Sequence, residues 1–87
     1  MLEVKKFSAS WCIPCKQLTP VINEIKSKFS NVRFEEYDVD EASDIASQFG
    51  IRSVPTVILV KDGKEVKRIV GAQSKNIYES AINENLG

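Results

Sequence analysis

The stretch SASWCIPCKQLTP, residues 8–20, holds both cysteines of this 87-residue chain, Cys12 and Cys15. The residues before it, 2–7, alternate in character as a short strand does. From Pro14 onward, apolar residues recur at helical spacing. They are Leu18, Val21, Ile22, Ile25 and Phe29. The cysteines are therefore predicted to lie where a strand passes into a helix.

Two further elements are predicted after this helix. Residues 32–39 have the character of a second strand. Asp40 is expected to be the N-cap of a short helix with an apolar face, and Gly50 is placed to end that helix. These two elements follow the first strand and helix without a linker.

The last part of the chain predicts a hairpin and a final helix. Residues 54–60 are mostly apolar and β-branched, which is typical of a strand buried on both faces. Asp62-Gly63 is a strong signal for a two-residue turn, so residues 65–70 should return antiparallel. Ser74 is expected to cap the last helix.

The predicted order of elements is βαβ-αββα, in a single domain over residues 1–87. Two strands joined by a helix should be parallel with a right-handed crossover, and the hairpin should be antiparallel. We therefore expect an α/β fold with a four-stranded mixed sheet and helices on both faces.

Charge and composition limit the classes of partner. The chain has 12 basic and 12 acidic residues and no net charge, so we expect no nucleic-acid partner and no membrane partner. No apolar run is long enough to cross a bilayer, and residues 1–6 are not a signal peptide. We therefore expect a cytoplasmic location.

The cysteine pair has three possible uses. A disulfide that serves only to stabilise the fold is rare in reducing cytosol. A disulfide that closes so short a loop would also remove little conformational entropy from the unfolded chain. A structural zinc site generally needs four Cys or His ligands, whereas this chain has two cysteines and no histidine. A dimer that bridges a metal or an iron–sulfur cluster remains an alternative. Redox chemistry is favoured, and we expect no metal and no cofactor.

The position of the pair gives a reason for reactivity. The first turn of a helix directs free N–H groups and the positive end of its dipole toward Cys12, which should lower the pKa of that thiol. Attack by Cys12 on a disulfide would give a mixed disulfide, and Cys15 is within reach to resolve it. Cys15 is expected to be the less exposed of the two, and Pro14 should keep their geometry similar in both redox states.

The six residues Trp11-Cys12-Ile13-Pro14-Cys15-Lys16 resemble the W-C-G-P-C-K active site of thioredoxins. The resemblance continues over nearly the whole chain, in motifs that occur in the expected order. They are Phe7-Ser8-Ala9-Ser10, Asp38-Val39-Asp40, Phe49-Gly50-Ile51-Arg52-Ser53-Val54-Pro55-Thr56, Lys61-Asp62-Gly63 and Val70-Gly71-Ala72. The resemblance implies a minimal thioredoxin fold that begins at the strand carrying the active site, without the first strand and helix of full-length thioredoxins.

The resemblance also implies roles for individual residues. Cys12 would be the attacking cysteine and Cys15 the resolving one. Pro55 matches the cis-proline of the family, beside which Val54 would present its backbone to an extended substrate segment. The residues expected to bind substrate are Trp11, Ile13, Pro14, Val54, Pro55, Gly71 and Ala72.

The sequence departs from the family pattern in two respects. Lys6 stands where thioredoxins have a buried aspartate beneath the active site, and Glu36 stands where they have its lysine partner. We expect Lys6 and Glu36 to form a pair with exchanged charges in the sheet centre, in which Lys6 favours the Cys15 thiolate and Glu36 handles its proton. The other departure is Ile13 in place of glycine, which we expect to change the redox potential and to narrow the choice of partners.

The resemblance implies a thiol–disulfide oxidoreductase that reduces protein disulfides. Its expected partners are a thioredoxin-reductase-type electron donor and disulfide-containing proteins, and we expect a monomer. Two alternatives remain: a glutaredoxin-like reductase that depends on glutathione, and a non-catalytic subunit that uses the fold only for binding. Glutaredoxins typically carry Pro-Tyr between the cysteines, which makes the first alternative the weaker match.

Overall fold

Seven elements follow one another in residues 1–86, the part of the chain that the computed structural model describes. They are β1 (Leu2–Ser8), α1 (Ile13–Lys28), β2 (Arg33–Asp38), α2 (Ser43–Gln48), β3 (Thr56–Lys61), β4 (Lys64–Val70) and α3 (Lys75–Asn85). This order confirms the predicted βαβ-αββα pattern. Gly87, the last residue of the predicted domain, lies outside the described residues.

The four strands form one mixed sheet in the order β2-β1-β3-β4. β1 pairs with β2 in parallel and with β3 in antiparallel orientation, and β3 pairs antiparallel with β4. The central strand β1 leads directly into the cysteine motif. Its Lys6 is the register partner of Glu36 on β2 and of Val57 on β3.

The sheet is covered by helices on both faces, as predicted. Side chains of α1 and α3 pack on the face that carries Val4, Val57 and Leu59. The short helix α2 packs on the opposite face, against Phe7 and Ile58. Because side chains alternate between the faces of a strand, Lys6 lies on the same face as Val4, beneath α1.

The tight turn between β3 and β4 is also confirmed. Asp62 and Gly63 both have positive φ, at 51° and 86°, as the predicted two-residue hairpin requires. No helix within residues 1–86 has the length and apolar character needed to cross a membrane.

The two predicted helix caps are not made by the expected side chains. Helix α2 begins at Ser43, and Ala42 occupies its N-cap position, so the prediction for Asp40 is wrong. The preceding turn is stabilised by the Asp38 carboxylate, which accepts the backbone N–H of Asp40 at 2.8 Å. Ser74 does occupy the N-cap position of α3, but its side chain makes no capping hydrogen bond.

Candidate active site

Cys12 and Cys15 lie at the first turn of α1 and are joined by a disulfide bond. Cys12 is the N-cap residue of this helix, and its Sγ accepts the backbone N–H of Cys15 at 3.2 Å. This N–H is one of the donors that the first turn leaves without a helical partner, so it would also stabilise negative charge on Sγ after reduction. The cysteines are 5% and 3% exposed, and the expected difference between them is therefore small.

Two large apolar side chains flank the disulfide on its outer side. Trp11 is 67% exposed and Ile13 is 66% exposed, so both belong to the surface and not to the core. The indole Nε1–H of Trp11 donates to the Asp40 carboxylate at 3.0 Å. Asp40, predicted as a helix cap, is therefore a partner of Trp11. Pro14, in the first turn of α1, is also exposed.

A second chain segment reaches the cysteines from the loop before β3. Val54 is half-buried and packs against the cluster formed by Ala9 and the two cysteines. The Val54–Pro55 peptide bond is cis, as predicted. A groove of about 160 Å³ opens beside Trp11, and its other lining residues are Val39, Ile51, Arg52, Ser53 and Val54.

The turn after β4 is attached to this segment by hydrogen bonds. The Gly71 N–H donates to the Pro55 carbonyl at 2.8 Å, and Gly71 has a φ of 83°, which favours glycine. On its other side, the hydroxyl of the buried Tyr78 donates to the Gly71 carbonyl at 3.1 Å and accepts the Gln73 N–H at 3.0 Å. Ala72, next to Gly71, is exposed. No pattern in the sequence predicted this contact between Tyr78 and the turn.

Lys6 and Glu36 form an ion pair, but the predicted position of this pair in the sheet centre is wrong for Glu36, whose side chain is exposed. Lys6 Nζ and Glu36 Oε1 are 3.8 Å apart, and the exposed fractions of the two side chains are 3% and 60%. Glu36 is exposed because β2 is an edge strand, whereas Lys6 lies on the central strand β1. Burial lowers the pKa of Lys6 from its ordinary value, and the charge of Glu36 only partly offsets this effect.

The shorter of the two polar contacts of Lys6 is with a residue that the sequence did not single out. Its Nζ donates to Thr19 Oγ1 at 2.9 Å, and the Thr19 hydroxyl donates to the Cys15 carbonyl at 3.2 Å. Thr19 lies four residues after Cys15, and this spacing, which puts both on one face of a helix, is the signal that could have found it.

An open polar cavity of about 220 Å³ lies on the Cys15 side of the disulfide. It is lined by Lys6, Ser8, Ala9, Ser10, Cys15, Lys16, Thr19, Glu36 and Asp38. The Ser8 hydroxyl lies 3.4 Å from Glu36 Oε1. The cavity therefore brings a buried cation, an exposed carboxylate and Cys15 to one space, which is roomy enough for water.

Comparisons with known proteins agree with this geometry. The thioredoxin family model matches residues 2–84 of the chain. Thioredoxin H2 of Arabidopsis thaliana is 46% identical over 76 residues, which cover 87% of this chain. A thioredoxin of Chlamydia caviae is 43% identical over 79 residues, covering 91% of this chain and 78% of that protein. Among solved structures, thioredoxin NaTrxh of Nicotiana alata superimposes with a TM-score of 0.92 at 48% identity.

The lengths of the matched proteins differ from the length of this chain. The matched region covers 57% of the Arabidopsis protein, so the chain spans little more than half of that relative. The match to the Nicotiana alata structure covers 95% of this chain and 71% of that one. The match to the family model covers nearly the whole chain, and the cysteine pair lies at the start of a helix within it. The chain belongs to the thioredoxin family.

Proposed function

We propose that the chain is a thiol–disulfide oxidoreductase that reduces disulfide bonds in proteins. The observation that carries this proposal is the Cys12–Cys15 disulfide at the N-terminus of α1, next to the exposed side chains of Trp11 and Ile13. A cysteine pair of this spacing that opens and closes a disulfide reversibly holds, in its reduced dithiol state, the two electrons that reduction of a substrate disulfide needs.

The reaction follows in two exchanges. The Cys12 thiolate attacks one sulfur of the substrate disulfide, forms a mixed disulfide and releases the other sulfur as a thiolate. The Cys15 thiolate then attacks Cys12 Sγ, which restores the Cys12–Cys15 disulfide and releases the second substrate thiolate. A thioredoxin-reductase-type donor returns two electrons to the pair. The Cys15 N–H supports the first exchange, because it already contacts Cys12 Sγ.

The residues around the disulfide provide a docking surface for protein substrates. We define it by Trp11, Ile13, Pro14, Val54, Pro55, Gly71 and Ala72. Contacts within it support this assignment: Val54 packs on the cysteine cluster, and Gly71 hydrogen-bonds to Pro55. An extended substrate segment would pair with the backbone of Val54, as in strand addition.

We assign roles in the reaction to Lys6 and Glu36, which line the polar cavity beside Cys15. Lys6 favours the Cys15 thiolate by its charge, and Glu36 takes or returns the proton through water in the shared cavity. Glu36→Gln is then expected to slow resolution of a mixed disulfide at neutral pH more than it slows Cys12 attack. Rapid-mixing measurements of the two steps test this role, and equal effects on both steps, or none, would remove Glu36 from the mechanism.

We extend the proposal to the partners, the oligomeric state and the cellular location of the protein. Disulfide-containing proteins are the substrates, and the chain works as a monomer in the cytoplasm. The monomer is supported by the site itself, because one chain supplies the cysteines and the whole docking surface. The cytoplasm is supported by the reducing conditions in which a dithiol reductant operates.

Reduction of a protein disulfide such as that of insulin tests the function. We expect turnover with a thioredoxin reductase, little turnover with glutathione and glutathione reductase, and none for Cys12→Ser. Cys15→Ser should accumulate a mixed disulfide with the substrate, detectable as an added mass. Preference for glutathione would indicate a glutaredoxin-like enzyme. Unchanged biological activity of the Cys12→Ser, Cys15→Ser double variant would indicate a binding subunit.

A further inference from the structure

We propose that Thr19 is a positioning residue of this site, which holds the Lys6 ammonium beside Cys15 and thereby stabilises the Cys15 thiolate in the reduced protein. This inference rests on the proposed role of Cys15 as the resolving cysteine. The contact between Thr19 on α1 and Lys6 on β1 would then influence the equilibrium between the disulfide and dithiol forms of Cys12 and Cys15.

The Thr19 hydroxyl is oriented by hydrogen bonds on both sides. Its hydrogen is donated to the Cys15 carbonyl, at an oxygen–oxygen distance of 3.2 Å. A hydroxyl has one hydrogen and two acceptor lone pairs, so its remaining capacity is to accept. Lys6 Nζ occupies that direction at 2.9 Å. Thr19 therefore connects the backbone of the resolving cysteine to a buried cation.

Lys6 depends on this hydroxyl more than on its ion pair. The residue is 2% exposed, and a buried ammonium is stable only when it is well hydrogen-bonded. Glu36 Oε1 lies 3.8 Å away on a side chain that is 60% exposed, where water weakens the attraction. Removal of the Thr19 hydroxyl would leave the ammonium without its short contact, and the neutral amine would become more favourable.

The charge of Lys6 acts on Cys15 across the polar cavity. The titratable groups that line this cavity are Lys6 on β1, Cys15 and Lys16 on α1, and Glu36 and Asp38 on β2. The two carboxylates disfavour a thiolate and the two cations favour it, but Lys16 and Glu36 are exposed to water. The cation held in the buried position is Lys6, so its loss should reduce the thiolate fraction of Cys15.

Thr19→Val tests the inference, because valine keeps the branched shape and removes the hydroxyl. Thr19→Ser restores the hydroxyl and is the matched control. Thr19→Ala is a second hydroxyl-free variant, in case valine packs poorly. The measurement is the equilibrium of the Cys12–Cys15 pair with glutathione buffers, which requires neither a protein substrate nor a reductase and therefore stands apart from the proposed function.

We expect Thr19→Val to shift this equilibrium toward the disulfide by about three- to tenfold, or about 14 to 30 mV toward more reducing potentials. The shift should grow between pH 6 and pH 9, because only the thiolate is attracted by the ammonium. Thr19→Ser should remain within about twofold of the parent.

A double-mutant cycle separates positioning from packing. If Thr19 acts through Lys6, Thr19→Val should have no further effect on the potential in a Lys6→Met background. An unchanged potential in both hydroxyl-free variants would overturn the inference. A shift of the same size with and without Lys6 would also overturn it.

Discussion

Replacement of Tyr78 by phenylalanine removes a single hydroxyl group from the interior of the protein. The ring of Tyr78 is 1% exposed and packs between α3 and the sheet, so it stays in place in the variant. The hydroxyl connects two points of the turn after β4, because it donates to the Gly71 carbonyl and accepts the Gln73 N–H. The same turn contacts Pro55 through the Gly71 N–H.

The expected cost follows from these contacts. A typical hydrogen bond contributes about 1 kcal/mol to the free energy of unfolding, and a buried group left unpaired costs more. Gln73 is exposed and Gly71 is half-buried, so water can replace part of the loss. We therefore expect Tyr78→Phe to lower the free energy of unfolding by about 1 to 2 kcal/mol. For a domain of this size each kcal/mol lowers the melting temperature by about 4–8 °C.

The pH dependence provides an additional check. Burial raises the pKa of Tyr78 above its ordinary value of 10.0. The unfolded chain therefore loses this phenolic proton first as the pH rises. The stability that Tyr78 contributes is present below pH 10 and declines above it, whereas Tyr78→Phe lacks this decline.

Urea unfolding of both proteins measures the difference, and Tyr37→Phe is the matched control. The Tyr37 hydroxyl also makes side-chain hydrogen bonds, since it donates to Glu35 and accepts from Lys5, but all three residues are only half-buried. Removal of the Tyr37 hydroxyl is expected to lower the free energy of unfolding by less than about 1 kcal/mol. Equal stabilities of Tyr78→Phe and the parent would refute the reasoning. The rate of insulin reduction should fall in Tyr78→Phe but not in Tyr37→Phe, because Gly71 belongs to the proposed docking surface.

Three further predictions concern a buried cation, an exposed residue between the two cysteines and the core. Because burial lowers the pKa of Lys6, the unfolded chain holds that proton more tightly, and stability should rise toward pH 10.5 by at most about 1.4 kcal/mol per pH unit. Lys6→Met should lack this rise in urea unfolding, and parallel pH curves for the two proteins would contradict the prediction. Ile13→Gly should change the potential and widen the range of protein disulfides that are reduced; coincident potentials and identical rates would count against it. Ile25→Ala should lower the free energy of unfolding by about 2–5 kcal/mol in the same assay, because Ile25 is 0% exposed. Val66 is 41% exposed, so Val66→Ala should lower the free energy of unfolding by less than about 1 kcal/mol. Similar losses in both would show that burial does not decide the cost.

Local patterns were sufficient for most of the fold. The apolar spacing after Pro14 predicted α1, and the Asp62-Gly63 pair predicted the tight turn, because both depend on residues close in sequence. The predicted cap at Asp40 failed for a tertiary reason. Its carboxylate hydrogen-bonds to Trp11, a contact across 29 positions that local propensity does not represent.

Lys6 and Glu36 show more clearly what the sequence alone could not predict. Their positions in the thioredoxin pattern predicted that they are partners, and β1 and β2 do pair them in register. Burial could not be predicted for both, because it depends on which strand lies at the edge of the sheet. The order β2-β1-β3-β4 leaves Glu36 in contact with water and encloses Lys6.

The sequence by itself determined the order of elements, the position of the cysteine pair before a helix and the family resemblance on which the proposed reaction is based. Those features are carried by local spacing and by residue identity. Tertiary structure alone decided that Thr19 contacts Lys6, that Tyr78 ties down the turn at Gly71, and that the cavity beside Cys15 is polar and open. These contacts join residues from different elements, and their formation depends on how α1 and α3 pack on the sheet.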